Sequence, residues 1–160
     1  MPDYKIPESV LVVIFSSDLQ VLLLERADKL GFWQSVTGSK DSIDEPLRET
    51  AIREVFEETG LRIGSPAIPP SSLIDWNLSN IYEIYPVWRH RYAPGVTRNT
   101  EHVFGLQVPI DMTITLAERE HLQYQWLPWR SAADQCFSPS NAEAILQLPQ
   151  YLNTGPATQP

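Results

Sequence analysis

The chain has 160 residues, of which 42% are hydrophobic and 20% charged, values typical of one globular domain with its own core. Its formal net charge is −8, from 12 basic and 20 acidic side chains. This charge disfavours a nucleic-acid polymer as a partner, because phosphate backbones bind clustered Lys and Arg. A small anionic ligand stays compatible with it, since bound divalent cations reverse the local sign of charge.

The cysteine content and the apolar runs indicate the compartment. Cys136 is the single cysteine, which excludes an internal disulfide and favours the cytoplasm. Residues 1–7 lack the basic-then-apolar pattern of a signal peptide, and the apolar run at 10–15 is too short to span a bilayer. We therefore expect no membrane partner, and the sequence does not predict an oligomeric state. We expect one domain over residues 1–152 and a polar, flexible tail over 153–160.

Three apolar segments in the first quarter of the chain predict strands. They cover residues 10–15, 21–24 and 32–37. Short, continuous apolar runs are typical of strands that are buried on both faces.

A helix is predicted after the polar segment at residues 40–44. Pro46 suits the first helical turn, and Asp44 or Glu45 suits the N-cap or an acidic position that matches the helix dipole. We expect the helix to run to about Thr59, with Gly60 as its left-handed stop.

The second half of the chain alternates strands with loops and ends in helices. Prolines at 66, 69 and 70 predict an irregular segment. Strands are then predicted at 73–76, 81–88, 103–108 and 123–127, a basic loop at 89–100, and helices at 128–136 and 141–148. Ser138 or Ser140 would cap the last helix. This order predicts an α+β or layered α/β/α sandwich around a mixed sheet.

Three carboxylates share one turn of the first predicted helix. Glu54, Glu57 and Glu58 lie three and four residues apart, at the border of the apolar stripe that includes Val55. A solvated acidic face is the usual arrangement of such residues. Three acids beside a buried stripe favour instead a site for a hard cation such as Mg²⁺. Arg53, one turn before Glu57, is expected to pair with it.

The segment from Gly38 to Leu61 resembles the Nudix box. The family pattern is Gly-x5-Glu-x7-Arg-Glu-U-x-Glu-Glu-x-Gly-U, where U is a bulky aliphatic residue. Glu45 and the run Arg53-Glu54-Val55-x-Glu57-Glu58-x-Gly60-Leu61 match every defined position from Glu45 onward. Six residues, instead of five, separate Gly38 from Glu45. The extra residue lies in a polar loop, where insertions are tolerated, and it leaves open whether Asp44 or Glu45 fills the acidic position.

The resemblance implies a fold, a reaction and a set of site residues. The Nudix fold is a mixed sheet between helices, and its members hydrolyse a nucleoside diphosphate linked to another moiety, with Mg²⁺ or Mn²⁺. By position, Glu54 and Glu58 would be the principal metal ligands and Glu57 a ligand or the catalytic base. Arg53 would belong to the same catalytic group.

Three segments, one of which overlaps the start of the box, are similar to the bacterial dihydroneopterin triphosphate diphosphatases. They are residues 32–39, 90–101 and 120–127. This resemblance implies release of pyrophosphate from 7,8-dihydroneopterin triphosphate, leaving the monophosphate, a step of folate biosynthesis. It implies Glu120 as a further metal ligand. The same resemblance implies four substrate contacts, from Lys5, Arg26, Thr37 and Ser138.

Two other functions stay open at this stage. The box equally supports a broad (deoxy)nucleoside triphosphate pyrophosphohydrolase. A binding module without catalysis is disfavoured, because all three box acids are present.

Several remaining residues have competing interpretations. The loop arginines 89, 91 and 98 could grip a triphosphate or form solvated ion pairs. We expect the tryptophans 33, 76 and 88 to lie in the core rather than to stack on a ligand. We expect the histidines 90, 102 and 121 to be structural, because they lack metal-ligand spacing, and Cys136 to be inert packing.

Overall fold

The computed structural model describes residues 4–152, so the predicted tail at 153–160 lies outside the described residues. The described chain forms one sheet with helices and two 3₁₀ turns. The strands are β1 (Glu8–Phe15), β2 (Gln20–Arg26), β3 (Trp33–Gln34), β4 (Val36–Ser39), β5 (Leu73–Glu83), β6 (Arg98–Gln107) and β7 (His121–Pro128). The helices are α1 (Leu47–Thr59), α2 (Trp129–Gln135), α3 (Pro139–Leu146) and α4 (Leu148–Leu152), and the 3₁₀ turns are Pro70–Ser72 and Pro86–Arg91.

The sheet is mixed, as the sequence predicted. Its main path runs β3-β2-β1-β6-β5, with β4 paired to β1 and β7 paired to β2. β1 and β6 are parallel, from Glu8 opposite Thr100 to Phe15 opposite Gln107. The other strand pairs are antiparallel.

Helices cover both faces of the sheet, which confirms the layered α/β/α architecture. Alternate residues of β1 enter two separate cores, because neighbouring side chains of a strand point to opposite faces. Val10 and Val12 pack with Val55 of α1 on one face. Leu11 and Val13 pack with α2, α3 and α4 on the other face.

The structure corrects the predicted strands in three places. β5 is one strand where two were predicted, with a bulge between Asp75 and Leu78. The predicted strand at 81–88 ends at Glu83, and the chain then enters the 3₁₀ turn at Pro86, whose missing N–H cannot join a ladder. β6 starts at Arg98, inside the predicted loop.

A further correction concerns the predicted strand at 32–37, which is divided into β3 and β4. The break is at Ser35, whose backbone N–H donates to Oδ1 of Asn141 at 2.8 Å instead of to a neighbouring strand. The partner is 106 residues away in the chain, so local sequence could not reveal it.

Helix ends were predicted with mixed success. Gly60 ends α1 in the left-handed conformation, with φ 77°, as predicted. Pro46 itself occupies the N-cap and no side chain caps α1, so the prediction of Asp44 or Glu45 as cap was wrong. Ser138 caps α3 by accepting from the N–H of Asn141 at 3.4 Å, which confirms one of the two predicted caps.

Candidate active site

A cavity of about 910 Å³ opens at one end of the sheet. The starts of β1 and β6 and the ends of β2, β4 and β5 meet there, because antiparallel neighbours bring the end of one strand beside the start of the next. α1 contributes its carboxylates to the wall, and the segment before α3 closes the opposite side.

Glu54 and Glu58 form the acidic end of this cavity. Glu58 is 2% exposed, and burial, together with a hydrogen bond to Glu54 and the charges of Glu54 and Glu120, raises its pKa well above the usual value. Burial also raises the pKa of Glu54. The backbone N–H of Thr37 donates to Glu58. Among the described residues, Oε1 of Glu58 has no hydrogen-bond partner.

Gly38 makes room for this pair. A Cβ atom at this position would lie 2.1 Å from Cδ of Glu54. Real Cβ atoms do not come that close, so any larger residue would displace the carboxylate. The glycine predicted from the box therefore acts by allowing α1 to approach β4 with Glu54 between them.

Arg53 ties the loop before α1 to the helix. It donates to both carboxylate oxygens of Glu45, from Nε at 3.1 Å and from Nη2 at 2.9 Å. The same interaction lowers the pKa of Glu45 to about 2. Nη1 contacts Glu54 at 2.7 Å and Glu57 more weakly at 3.4 Å. Glu45, and not Asp44, therefore fills the acidic position, and the extra residue is absorbed in the loop between Gly38 and Glu45.

Glu57 and Glu120 are more exposed than Glu54 and Glu58. The Glu57 side chain is 51% exposed, and within residues 4–152 it is not part of the cavity lining. Glu120 does line the cavity, from the turn that precedes β7, and its charge reaches Glu58. Arg53 is likewise not part of the cavity lining. Its contact with Glu54 therefore positions that carboxylate from outside the cavity.

The donor set of the acidic end fits a divalent cation. Within residues 4–152 no group of three His, Cys, Asp or Glu side chains forms a complete metal cage. Mg²⁺ does not need one, because it is usually held by one or two carboxylates together with water and phosphate oxygens. Two adjacent carboxyl groups, one with an unpartnered buried oxygen, match that requirement.

Cationic side chains line the wall near the carboxylates. Lys5, Arg26 and Arg91 all border the cavity. Lys5 keeps part of its surface exposed, and desolvation by the surrounding wall, followed by the charge of Arg91, lowers its pKa. Arg26 is held by Asp28 through two contacts of 2.7 Å and lies over the Trp88 ring at 4.6 Å. Such fixed guanidinium groups suit phosphate oxygens.

All four predicted substrate contacts line the cavity: Lys5, Arg26, Thr37 and Ser138. Thr37 has its hydroxyl committed to the carbonyl of Val10 at 2.9 Å, so it offers an acceptor oxygen rather than a free donor. Ser138 both caps α3 and borders the cavity.

The three arginines of the basic loop differ in whether they border the cavity. Arg91 borders the cavity, which is compatible with phosphate binding, and it also lies 3.7 Å from a carboxylate oxygen of Asp28. Arg89 and Arg98 instead pair with Glu83 at 3.5 Å and 3.0 Å, as the ion-pair alternative predicted. Trp33 and Trp76 lie in the core as predicted. The prediction for Trp88 was wrong, because Trp88 borders the cavity.

The sequence analysis missed that His121 lies beside Glu58. It is buried, Nε2 lies 3.6 Å from Oε1 of Glu58, and Nδ1 has no partner among the described residues. Burial, followed by the charge of Arg26, lowers its pKa to about 4, so the ring is neutral at pH 7. The expectation of a satisfied structural histidine was therefore wrong for His121. His102 does pair with Glu8, at 3.2 Å. Burial raises the pKa of Cys136 to about 12, as expected for packing.

Two polar residues of β6, Asn99 and Glu101, were also missed. Both are buried and border the cavity on the side away from α1. A lone acid in a strand carries no spacing signal. Both residues do lie in segment 90–101, which is similar to the bacterial dihydroneopterin triphosphate diphosphatases.

The fold and the acidic end of the cavity define a class of protein. The NUDIX domain model matches residues 5–148, and the chain belongs to the NUDIX family. The chain is 45% identical over 146 residues to the dihydroneopterin triphosphate diphosphatase of Escherichia coli K12, covering 91% of this chain and 93% of that protein. It is 42% identical to the Haemophilus influenzae protein of the same name, over 91% and 89% of the two chains.

Solved structures agree with the sequence relatives. The structure of the E. coli dihydroneopterin triphosphate pyrophosphohydrolase matches with a TM-score of 0.82 at 45% identity, over 90% of this chain and 95% of that one. The MutT protein from Methanosarcina mazei matches with a TM-score of 0.65 at 21% identity, over 95% and 96% of the chains, a likeness of fold. No helix within residues 4–152 is long and apolar enough to cross a membrane.

Proposed function

We propose that this protein hydrolyses dihydroneopterin triphosphate to the monophosphate and pyrophosphate, with a divalent cation. One observation carries the proposal: a single cavity is lined both by the adjacent carboxyl groups of Glu54 and Glu58 and by the cations Lys5, Arg26 and Arg91. Such a site needs a ligand that is polyanionic where it meets the arginines and bound to a cation where it meets the carboxylates. The relatives at 42–45% identity are named for a pterin triphosphate.

The carboxylates would hold the cation. Glu54 and Glu58 are the proposed principal ligands, with Glu120 completing the set from the turn before β7. When bound, Mg²⁺ or Mn²⁺ would neutralise phosphate charge and lower the pKa of a water molecule. Glu57, the more exposed box acid, is proposed as a further ligand or as the base that accepts the proton of the attacking water.

The remaining side chains would orient the triphosphate. Lys5, Arg26 and Arg91 are proposed to pair with phosphate oxygens, which fixes the chain of phosphates against the carboxylates. Arg53 is proposed as a positioning residue, because it contacts Glu54 from outside the cavity lining and donates two further hydrogen bonds to Glu45. Hydrolysis would then break one anhydride bond and release pyrophosphate. A cytosolic location, suggested by the single cysteine, stays a prediction.

The test is pyrophosphate release with a panel of substrates. The purified protein would be supplied with Mg²⁺ and either dihydroneopterin triphosphate or the common nucleoside and deoxynucleoside triphosphates. We expect kcat/KM for the pterin to exceed that of each nucleotide by at least about tenfold, a difference of about 1.4 kcal/mol in transition-state binding. A nucleotide that is hydrolysed as well as the pterin would remove the pterin assignment and support the broad pyrophosphohydrolase.

A further inference from the structure

Glu101 is a buried acid that the hydrolytic chemistry does not use. It lies near the start of β6, opposite Ser9 of β1 and Asn80 of β5. Its side chain faces the α2–α4 side of the sheet, because Val103, two residues on, packs in that core. The residue is 5% exposed and borders the cavity.

The Glu101 carboxyl has few partners in the protein. Ser140 donates to Oε1 at 3.3 Å, and within residues 4–152 no Lys, Arg or His forms an ion pair with Glu101. Burial raises its pKa to about 7. An acid placed here without a cation destabilises the folded protein, since a buried charge without a partner is costly. A ligand that donates hydrogen bonds would remove that cost.

A neighbouring acceptor, the side-chain oxygen of Asn99, also lacks a hydrogen-bond donor in the described part of the chain. Asn99, two residues before Glu101 on the same face, donates through Nδ2 to Ser9 Oγ at 2.7 Å and to the Tyr82 hydroxyl at 3.1 Å. Its Oδ1 has no partner in the described part of the chain. This wall of the cavity therefore has an excess of hydrogen-bond acceptors.

Flat apolar groups border the same region. Phe137 lines the cavity and stacks on Phe32 with ring centroids 4.5 Å apart, which fixes the ring in place. Pro139 and Tyr82 lie on the same lining. A heterocycle can pack against such surfaces while its polar edge meets the acceptors.

We propose that Glu101 is a specificity residue, whose carboxylate accepts hydrogen bonds from a ring N–H and an adjacent exocyclic amino group of the substrate. A pterin and a guanine both present this pair of donors. The inference deepens the proposed function and rests on it only in treating the cavity as the substrate site.

The sheet geometry supports this placement. Thr37 of β4 contacts Glu58, and β1 separates β4 from β6. Two strand spacings of about 4.8 Å place the β6 wall roughly 10 Å from β4. A ring at Glu101 and phosphates at Glu54 and Glu58 would thus lie at opposite ends of one extended ligand.

The test compares guanosine triphosphate with inosine triphosphate, which lacks only the exocyclic amino group. We expect the wild-type protein to prefer guanosine triphosphate in kcat/KM by about tenfold, because one well-placed donor–acceptor set discriminates by about 1–3 kcal/mol. In Glu101→Gln, whose amide can accept only one of the two bonds, the ratio should fall to about one. The KM for dihydroneopterin triphosphate should rise by about tenfold in the same variant.

Glu143→Gln is the matched control, because Glu143 is an exposed acid of α3 outside the cavity lining. It should keep the wild-type ratio. Thermal unfolding would verify that Glu101→Gln is folded, and Glu101→Asp, which keeps the charge but shortens the reach, should lower the ratio in the same direction.

The outcomes separate the two proposals. A wild-type protein that does not discriminate the two nucleotides, or variants at Glu101 that keep the wild-type ratio, would overturn the specificity role. A ratio that falls as expected in a protein that shows no preference for the pterin would overturn the pterin assignment and leave the role of Glu101 standing.

Discussion

At the scale of single residues, the site depends on acids held in unfavourable surroundings. Glu58 is almost fully buried and keeps one oxygen without a partner among the described residues. Such a group either is neutral or binds a cation. Its position beside Glu54, in a cavity that Lys5, Arg26 and Arg91 also border, favours the second role.

Glu58→Gln tests this role with a nearly isosteric change. We expect kcat for pyrophosphate release to fall by a factor on the order of 10² to 10⁴, because an amide oxygen is a weaker ligand for a divalent cation than a carboxylate. Steady-state kinetics measures the change. Glu49→Gln, an exposed acid in the first turn of α1, is the control and should keep wild-type activity. Equal turnover in Glu58→Gln and Glu49→Gln would place the metal elsewhere.

Glu101→Gln should change stability in a pH-dependent manner. The folded-state pKa of Glu101 is raised from 4.5 to about 7, so its ionisation destabilises the fold increasingly from pH 4.5 to pH 7 and fully above pH 7. The groups that face it, Ser9, Asn80, Ser140 and Tyr82, are uncharged at these pH values. The variant should therefore be more stable than wild type at pH 8, by up to about 3 kcal/mol, and equal at pH 4.5.

Urea unfolding at the two pH values measures this difference in free energy of unfolding. A stability difference that is the same at pH 4.5 and pH 8 would show that Glu101 does not titrate in this range.

The place of a residue in the cavity was predictable where that residue belongs to a local pattern. Glu54 and Glu58 share a helical turn, and their spacing alone indicates a common surface. Glu101 and His121 stand alone in their segments, and they reach the cavity only through strand pairing. Both residues are distinguished by burial and by an unmet interaction: Glu101 has no ion-pair partner and Nδ1 of His121 has no hydrogen-bond partner among the described residues. Local sequence predicts neither property.

At the scale of elements, α1 and β4 are fitted to each other through Gly38. Gly38→Ala would force a Cβ against the far end of Glu54, which is a flexible side chain. We expect Glu54 to move, so that the apparent affinity for Mg²⁺ falls by about tenfold while the protein remains folded. Magnesium titration of activity and a thermal melt measure the two effects. An unchanged magnesium dependence would mean that the Glu54 carboxylate can shift without loss of cation binding.

The loop before α1 is held by the Arg53–Glu45 pair. Arg53→Lys would keep the charge and lose the two-point contact, because an ammonium group cannot reproduce the planar fork. We expect a loss of about 1–3 kcal/mol in free energy of unfolding, measured by urea denaturation. Arg48→Lys is a comparison on the outer side of the same helix, where Arg48 donates to the carbonyl of Leu73 at 2.8 Å. A smaller loss at Arg53 than at Arg48 would contradict the importance of the pair.

Elements were predictable to the extent that their signals are local. α1 and its end at Gly60 followed from apolar periodicity and from one glycine. The length of β5, the early start of β6 and the break at Ser35 did not follow, because they depend on a bulge, on pairing with distant strands and on Asn141. Trp88 was misplaced for the same reason, since Pro86 turns the chain away from the sheet.

At the scale of the whole molecule, a net charge of −8 repels the polyanionic substrate that we propose. A divalent cation bound by Glu54 and Glu58 should reduce the negative charge at the site. Its binding should therefore also stabilise the folded protein. At a concentration about 100-fold above its dissociation constant, a ligand adds about 2.7 kcal/mol to the free energy of unfolding. We therefore expect Mg²⁺ to raise Tm in the wild type and to have little effect on Glu58→Gln. Equal shifts in both proteins would indicate cation binding outside the acidic pair.

The most direct measurement of the central claim is the rate of pyrophosphate release from dihydroneopterin triphosphate before and after removal of divalent cations. With a chelator in excess, we expect the rate to fall to background, and with Mg²⁺ restored in excess of the chelator, we expect it to recover fully. Equal rates in chelated and magnesium-supplied samples would contradict the claim that Glu54 and Glu58 hold a cation for the reaction.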